Sequence, residues 1–185
     1  MAGFGLSRTH SQGDVTGKQF TYNIPASDAV RYSPGDVVVI TGDADPDGVP
    51  QVAAAAASTG GVTGVIFSVD PTFEGEALSN TGRTPSVNSF VKVNVDPFAL
   101  YEVDVANGPL VTANVGLNAP IVPDPATLSG GLTVSNMTLN ATGVATTNTL
   151  PFRIVQLLED DNQVLGNRAL VRVNNSTLNT GTTGI

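Results

Sequence analysis

Residues 89–105, SFVKVNVDPFALYEVDV, constrain the fold of this chain more than any other stretch. Val91, Val93 and Val95 fall on one side of an extended backbone, and Phe90, Lys92 and Asn94 on the other. After Asp96-Pro97-Phe98-Ala99 the alternation resumes, with Tyr101, Val103 and Val105 against Glu102 and Asp104. A period of two in β-branched and aromatic residues marks strands with one buried face. Pro97 sets its own φ and turns Asp96 away from helix. The stretch therefore reads as two strands joined by a tight turn, a hairpin.

The rest of the chain is punctuated in the same way. Strands are expected over residues 20–24, 36–41, 51–57, 62–69, 110–118, 132–140, 150–158 and 168–174, separated by Gly, Pro and Asn turns. Residues 72–88 read as a polar loop with room for an irregular edge segment. No long amphipathic helical period is present. The expected fold is all-β, a single sandwich or barrel-like domain over residues 20–178. Residues 1–19, with Gly3, Gly5, Gly13 and Gly17 among polar residues, read as an extended N-terminal arm, and residues 179–185 as a Thr/Gly tail. Fully extended, ~19 residues reach roughly 60 Å, far enough to cross a neighbouring subunit.

Composition narrows the function. The 185 residues are long enough to bury a core without disulfides, and cysteine is absent, which removes thiolate chemistry and Cys-ligated metals. Eight basic residues stand against sixteen acidic ones, for a net charge of −8, and no basic run occurs. Nucleic acid and anionic membrane are therefore not expected partners. The first residues lack the apolar core of a secretory signal, and the run VAAAAA at 52–57 is too short to span a bilayer. The protein is expected to be soluble and made in a cytoplasm.

Few groups suggest chemistry. Asp43-Ala44-Asp45-Pro46-Asp47-Gly48 matches the first half of a calcium loop, but its twelfth position is Ala54 where a bidentate Glu is required. Asp43, Asp45 and Asp47 remain a weak metal candidate beside the plainer reading of a solvated turn. Glu159-Asp160-Asp161 reads as a hairpin turn. Glu74 and Glu76 share a strand face, yet no apolar cleft is legible around them to raise a carboxyl pKa. His10 is the single histidine, so a Ser-His-Asp triad or a multi-His metal site has no material. No enzyme, cofactor or metal is expected.

Four segments, in order, carry a resemblance. They are residues 64–71 (GVIFSVDP), residues 91–97 with Leu100-Tyr101-Glu102, residues 116–119 (GLNA) with 128–131 (LSGG), and residues 150–155 (LPFRIV) with the acidic turn through Asn162, Gly166 and 169–175 (ALVRVNN). They run from residue 64 to residue 175, and over roughly residues 20–178 the chain resembles the capsid decoration, or cement, proteins of tailed bacteriophages. The resemblance implies an all-β structural protein that forms homotrimers on the outer surface of an icosahedral head. Its partner there would be the major capsid protein, whose subunits it would pin against internal pressure. On that reading Phe4, Leu6, Arg8, Lys18 and Phe20 are expected contacts to the capsid or a neighbouring subunit. A carbohydrate-binding or adhesive β-module is the alternative, though the chain has no Trp and three Tyr to build a platform.

Overall fold

A computed structural model describes residues 3–8, 18–57, 59–70, 72–74, 77–79 and 82–177. The strands are β1 (Gly5–Arg8), β2 (Gln19–Ile24), β3 (Val37–Ala44), β4 (Pro50–Ala54), β5 (Gly64–Val69), β6 (Thr72–Glu74), β7 (Ala77–Ser79) and β8 (Ser89–Asn94). They continue as β9 (Leu100–Ala106), β10 (Asn118–Ala119), β11 (Ile121–Val122), β12 (Thr127–Ser129), β13 (Leu132–Val134), β14 (Thr138–Asn140), β15 (Phe152–Glu159) and β16 (Leu165–Val173). The chain is all-β, as expected. Among the described residues the sole helical element is a 3-10 turn, Thr112–Asn114.

Two bodies of sheet share the chain. Strands β2-β4-β3-β5-β8 close into a five-stranded barrel. The second is a seven-stranded sheet in the order β10-β15-β16-β9-β14-β11, with β1 added on β9. Two short hairpins, β6–β7 and β12–β13, stand apart from both.

The strands on either side of Pro97 form where the alternation places them, with Val91, Val93, Tyr101 and Val103 buried. They do not form a hairpin. β8 pairs with β2 and β5 inside the barrel, whereas β9 pairs with β16, β1 and β14 in the other sheet. Asp96-Pro97-Phe98-Ala99 is a corner where the chain changes sheets. The Asp96 N–H donates to Asn94 Oδ1 at 3.0 Å, and the Phe98 N–H to Asp96 Oδ1 at 3.0 Å. Alternation reports which face of a strand is buried; both hydrogen-bonding edges of β8 were already taken by strands distant in sequence.

Two other expectations are corrected. Residues 110–118 are not one strand: Asn114 Oδ1 accepts the Val111 N–H at 2.8 Å, and this local bond competes with a ladder and closes the 3-10 turn. Residues 132–140 break into β13 and β14. Asn136 Nδ2 donates to the Pro125 carbonyl at 2.7 Å, and Met137 turns into the core.

The buried parts of the apolar runs VVVI and GVIF acquire their reason here, while Ile40 and Phe67 at their ends are exposed. Val37 and Val65 face the sheet and belong to a core with Tyr101, Leu139, Phe152 and Val171. Their neighbours Val38 and Ile66 face the barrel interior with Tyr22, Ile24, Tyr32 and Val91. A strand with both faces covered needs an unbroken apolar run instead of alternation. The seam between the two bodies is also polar. Buried Asp36 accepts the Ser33 N–H at 2.8 Å and a short hydrogen bond from Ser135 Oγ, and the Val37 N–H donates to Met137 Sδ at 3.1 Å.

A second buried polar node holds the barrel loops. Arg83 is fully buried and donates to the carbonyls of Pro25, Asp28, Val30 and Val87 at 2.6–2.8 Å. Its guanidinium lies 5.6 Å from the centre of the Tyr32 ring, and the Tyr32 hydroxyl donates to Asp28 Oδ2 at 2.6 Å.

The start of the chain, expected as an arm, is part of the body where it is described. β1 pairs antiparallel with β9, and the Phe4 N–H donates to the Gly35 carbonyl at 2.9 Å. Phe4 is 2% exposed; its ring stacks on Phe152 at 4.5 Å and meets Tyr101 edge-on at 6.5 Å. The expectation that Phe4 reaches outward to a partner is therefore corrected, because its ring belongs to this chain's own core.

Two predictions follow from the seam. Phe4→Ala removes a buried ring from a packed site and should lower unfolding stability by about 3–5 kcal/mol, read from denaturant midpoints; a change below about 1 kcal/mol would show that the ring is not anchored there. Burial pushes the Asp36 carboxyl up to about 6, against opposing hydrogen bonds from Ser135 and Ser33. Asp36 thus holds its proton more tightly folded than unfolded. Its contribution is greatest below the unfolded value near 4 and is lost as pH rises to about 6. Over that window the wild type should lose up to about 3 kcal/mol relative to Asp36→Asn. Parallel stability curves for the two proteins would refute the shift.

Candidate interaction surface

The inner face of the seven-stranded sheet carries Tyr101, Phe152, Ile154 and Val171. The residues between them face outward, and they make an unusual row. Register places Leu100 of β9 opposite Arg172 of β16, and Arg172 opposite Arg153 of β15. Arg8 of β1 takes the next register position, opposite Leu100. Two of the chain's eight basic residues, Arg153 and Arg172, therefore share one row of an acidic protein. Directly opposed like charges destabilise a strand pair. Burial, and then the Arg172 charge, pull the Arg153 pKa below the ordinary guanidinium value. Arg153 Nε donates to Asn118 Oδ1 at 3.1 Å. Arg172 has no carboxylate partner among the described residues. Arg168, further along the same strand, is by contrast neutralised by Glu102 and Asp104.

Beside the two arginines lies a groove of about 520 Å³, walled by Phe98, Leu100, Val115 and Val155. Two local structures build the wall. The sheet-switching corner carries Phe98, which is 57% exposed. The 3-10 turn delivers Val115, and the Gly116 N–H donates to the Ile154 carbonyl at 2.9 Å to hold it against β15. The arrangement offers two cationic forks beside an apolar floor. Its chemistry suits a carboxylate flanked by aliphatic side chains.

A second outward apolar feature is the β12–β13 hairpin. Gly130 and Gly131 have φ of +59° and +84°, the two successive positive values of a type I′ turn. Thr133 faces the body and is buried, with its carbonyl accepting from Ser33 Oγ at 3.0 Å. Leu132, 52% exposed, and Val134 share the opposite, outward face. Leucine and valine half-exposed on the outer face of a two-stranded ribbon leave apolar surface in water.

A cavity of about 310 Å³ lies between barrel and sheet, bordered by Phe4, Gly35, Ile66, Phe67, Asn94 and Tyr101. Asn94 Nδ2 and the Tyr101 hydroxyl are buried there without a hydrogen-bond partner among the described residues. Such isolated polar atoms in an apolar wall are the ordinary setting of buried water.

The residues singled out from sequence are dispersed. Lys18 and Phe20 are exposed at the start of the barrel, with the Lys18 carbonyl accepting the Val95 N–H at 2.8 Å. Leu6 and Arg8 occupy backbone register on β9. Asp45 Oδ1 accepts the N–H groups of Asp47 and Val49 at 3.0 and 2.8 Å, so this carboxylate closes its own turn. Among the described residues no three acidic or histidine side chains gather as a metal group. Asp160 likewise closes the β15–β16 turn, held below the usual carboxylate range by Asn167 and by the Val164 and Asn162 N–H groups. The side chain of Glu74, and Glu76 and His10 altogether, lie outside the described residues.

The groove was missed in the sequence, although a signal exists. Arg153 and Arg172 interrupt apolar runs with one charge each, which marks an outward position, but their opposition depends on the β15–β16 register. No family model, curated protein or solved structure matches this chain.

Arg172→Gln should leave the isolated protein's stability unchanged or raise it by a few tenths of a kcal/mol, because it relieves a cross-strand repulsion of about that size. Denaturant midpoints measure this, and a loss above about 1 kcal/mol would mean that Arg172 is a structural residue.

Proposed function

We propose that this protein is a structural component of a phage head, a capsid decoration protein that binds the outer shell as a homotrimer and stabilises it. The observation that carries the reading is the pair of outward surfaces that the described residues leave uncovered. One is the Phe98–Val115–Val155 groove with its opposed arginines, and the other is the Leu132–Val134 face of the β12–β13 hairpin. Contiguous apolar surface of this kind is suited to burial against another protein. It sits on a two-layer β-body with a continuous core, a rigid support for multivalent contact with a repeating lattice. The resemblance of residues 20–178 to decoration proteins gives the lattice its identity.

The test is co-sedimentation with heads that lack this protein, counting copies bound per major capsid subunit. Saturable binding at a fixed stoichiometry is expected. Leu132→Ser combined with Val134→Ser should weaken that binding at least tenfold while the thermal midpoint stays within a few degrees, since both side chains are exposed. Heads that take up no protein would end the reading.

A further inference from the structure

The β15–β16 ribbon is polarised along its length. One end holds Arg153 and Arg172 beside the apolar groove. The other end is the turn Glu159-Asp160-Asp161, followed by Val164 and Leu165. Asp161 is 99% exposed on its side chain, at 4.0 Å from Arg168, and Leu165 is 49% exposed. One end therefore offers guanidinium groups next to exposed apolar side chains, and the other offers carboxylates next to exposed aliphatic ones. No carboxylate lines the groove end, while the turn end carries three carboxylates beside a single guanidinium, Arg168. The two ends cannot meet within a chain, because six residues of strand, roughly 20 Å, separate Arg153 from Glu159.

We propose that the arginine groove receives the acidic end of the same ribbon from a second copy of this chain. The inference deepens the self-assembly part of the proposed function and rests on that reading for its setting. Carboxylates of Glu159 and Asp161 would neutralise the opposed Arg153 and Arg172, while Val164 and Leu165 cover the floor formed by Phe98, Val115 and Val155. The clustering of like charge then has a purpose, since the partner's carboxylates offset the repulsion between Arg153 and Arg172. Joining unlike ends makes the contact heterologous. Repeated around an axis it closes a ring, and any tilt that prevents closure gives an open string.

The experiment is sedimentation velocity on the full chain at rising protein concentration, at ~50 mM and ~500 mM salt, the higher value screening exposed charge. The wild type should associate into a discrete oligomer, with at least tenfold weaker association at high salt. Arg153→Glu with Arg172→Glu should move it to monomer, and so should Glu159→Lys with Asp161→Lys. The second variant changes only exposed turn residues and so keeps the test alive if the first fails to fold. Mixing the two variants should restore association into alternating pairs and even-membered assemblies, because each then carries the charge that the other's groove or turn needs, whereas a trimeric ring cannot alternate around its full circle. Three results would overturn the proposal: a monomeric wild type, variants that associate as the wild type does, or a mixture that stays monomeric. Head binding is measured separately. A monomeric wild type that still binds heads, and loses binding on Arg153→Glu with Arg172→Glu, would assign the groove to the shell and leave the decoration reading standing. An associating wild type that ignores heads would do the reverse.

Discussion

The structure depends on the seam where the barrel meets the sheet. Asp36 stands at the entrance to β3, buried, and binds Ser135 from the loop before β14. One residue on, the Val37 N–H reaches the Met137 sulfur, and the Met137 carbonyl accepts the Gly3 N–H at 3.0 Å. Phe4 then fills the space between Tyr101 and Phe152. Three parts of the chain far apart in sequence are thus fixed to one another by buried hydrogen bonds and one aromatic ring. A buried polar group left without its partner costs more than the bond contributes when made. The seam therefore specifies one docking of barrel on sheet, and the core of Val37, Val65, Leu139 and Val171 follows from it.

That docking also determines what is left outside. Once the inner face of the sheet is committed to the barrel, the opposite face of β9, β15 and β16 is open, and it contains the arginine row. The corner after Asp96, which transfers the chain from one body to the other, leaves Phe98 at the edge of that row. The connection that serves the fold thus also supplies a wall of the groove. The buried cation Arg83 differs in kind. It is surrounded by backbone carbonyls and serves loop geometry, whereas Arg172 lies on the outward row with no carboxylate partner among the described residues.

Much of the local structure was legible. The strands at 20–24, 36–41, 62–69, 150–158 and 168–174 lie within a few residues of their expected bounds, because alternation and Gly/Pro punctuation act over short range. The failures share one cause. Asp-Pro between two alternating runs looks like a hairpin turn, yet the identity of a strand's neighbour depends on distant edges. Asn114 and Asn136 ended strands through bonds from their own side chains, a competition that an apolar pattern does not register. Phe4 lay in a Gly-rich stretch without a period, so nothing nearby indicated that its ring enters a core assembled from residues 37–173.

By itself the sequence determined the all-β class, the buried face of each major strand and the acidic turns, because these follow from side-chain period, backbone preference and local hydrogen bonds. It also determined the scarcity of chemical groups, with no cysteine and one histidine. Only the tertiary structure decided that residues 19–94 contain a closed barrel, that β8 and β9 belong to different sheets, and that Arg153 and Arg172 stand opposite one another. Those are matters of register and pairing between strands remote in the chain. They are settled by which edges and faces remain unsatisfied once the core has formed, and no local pattern carries that information.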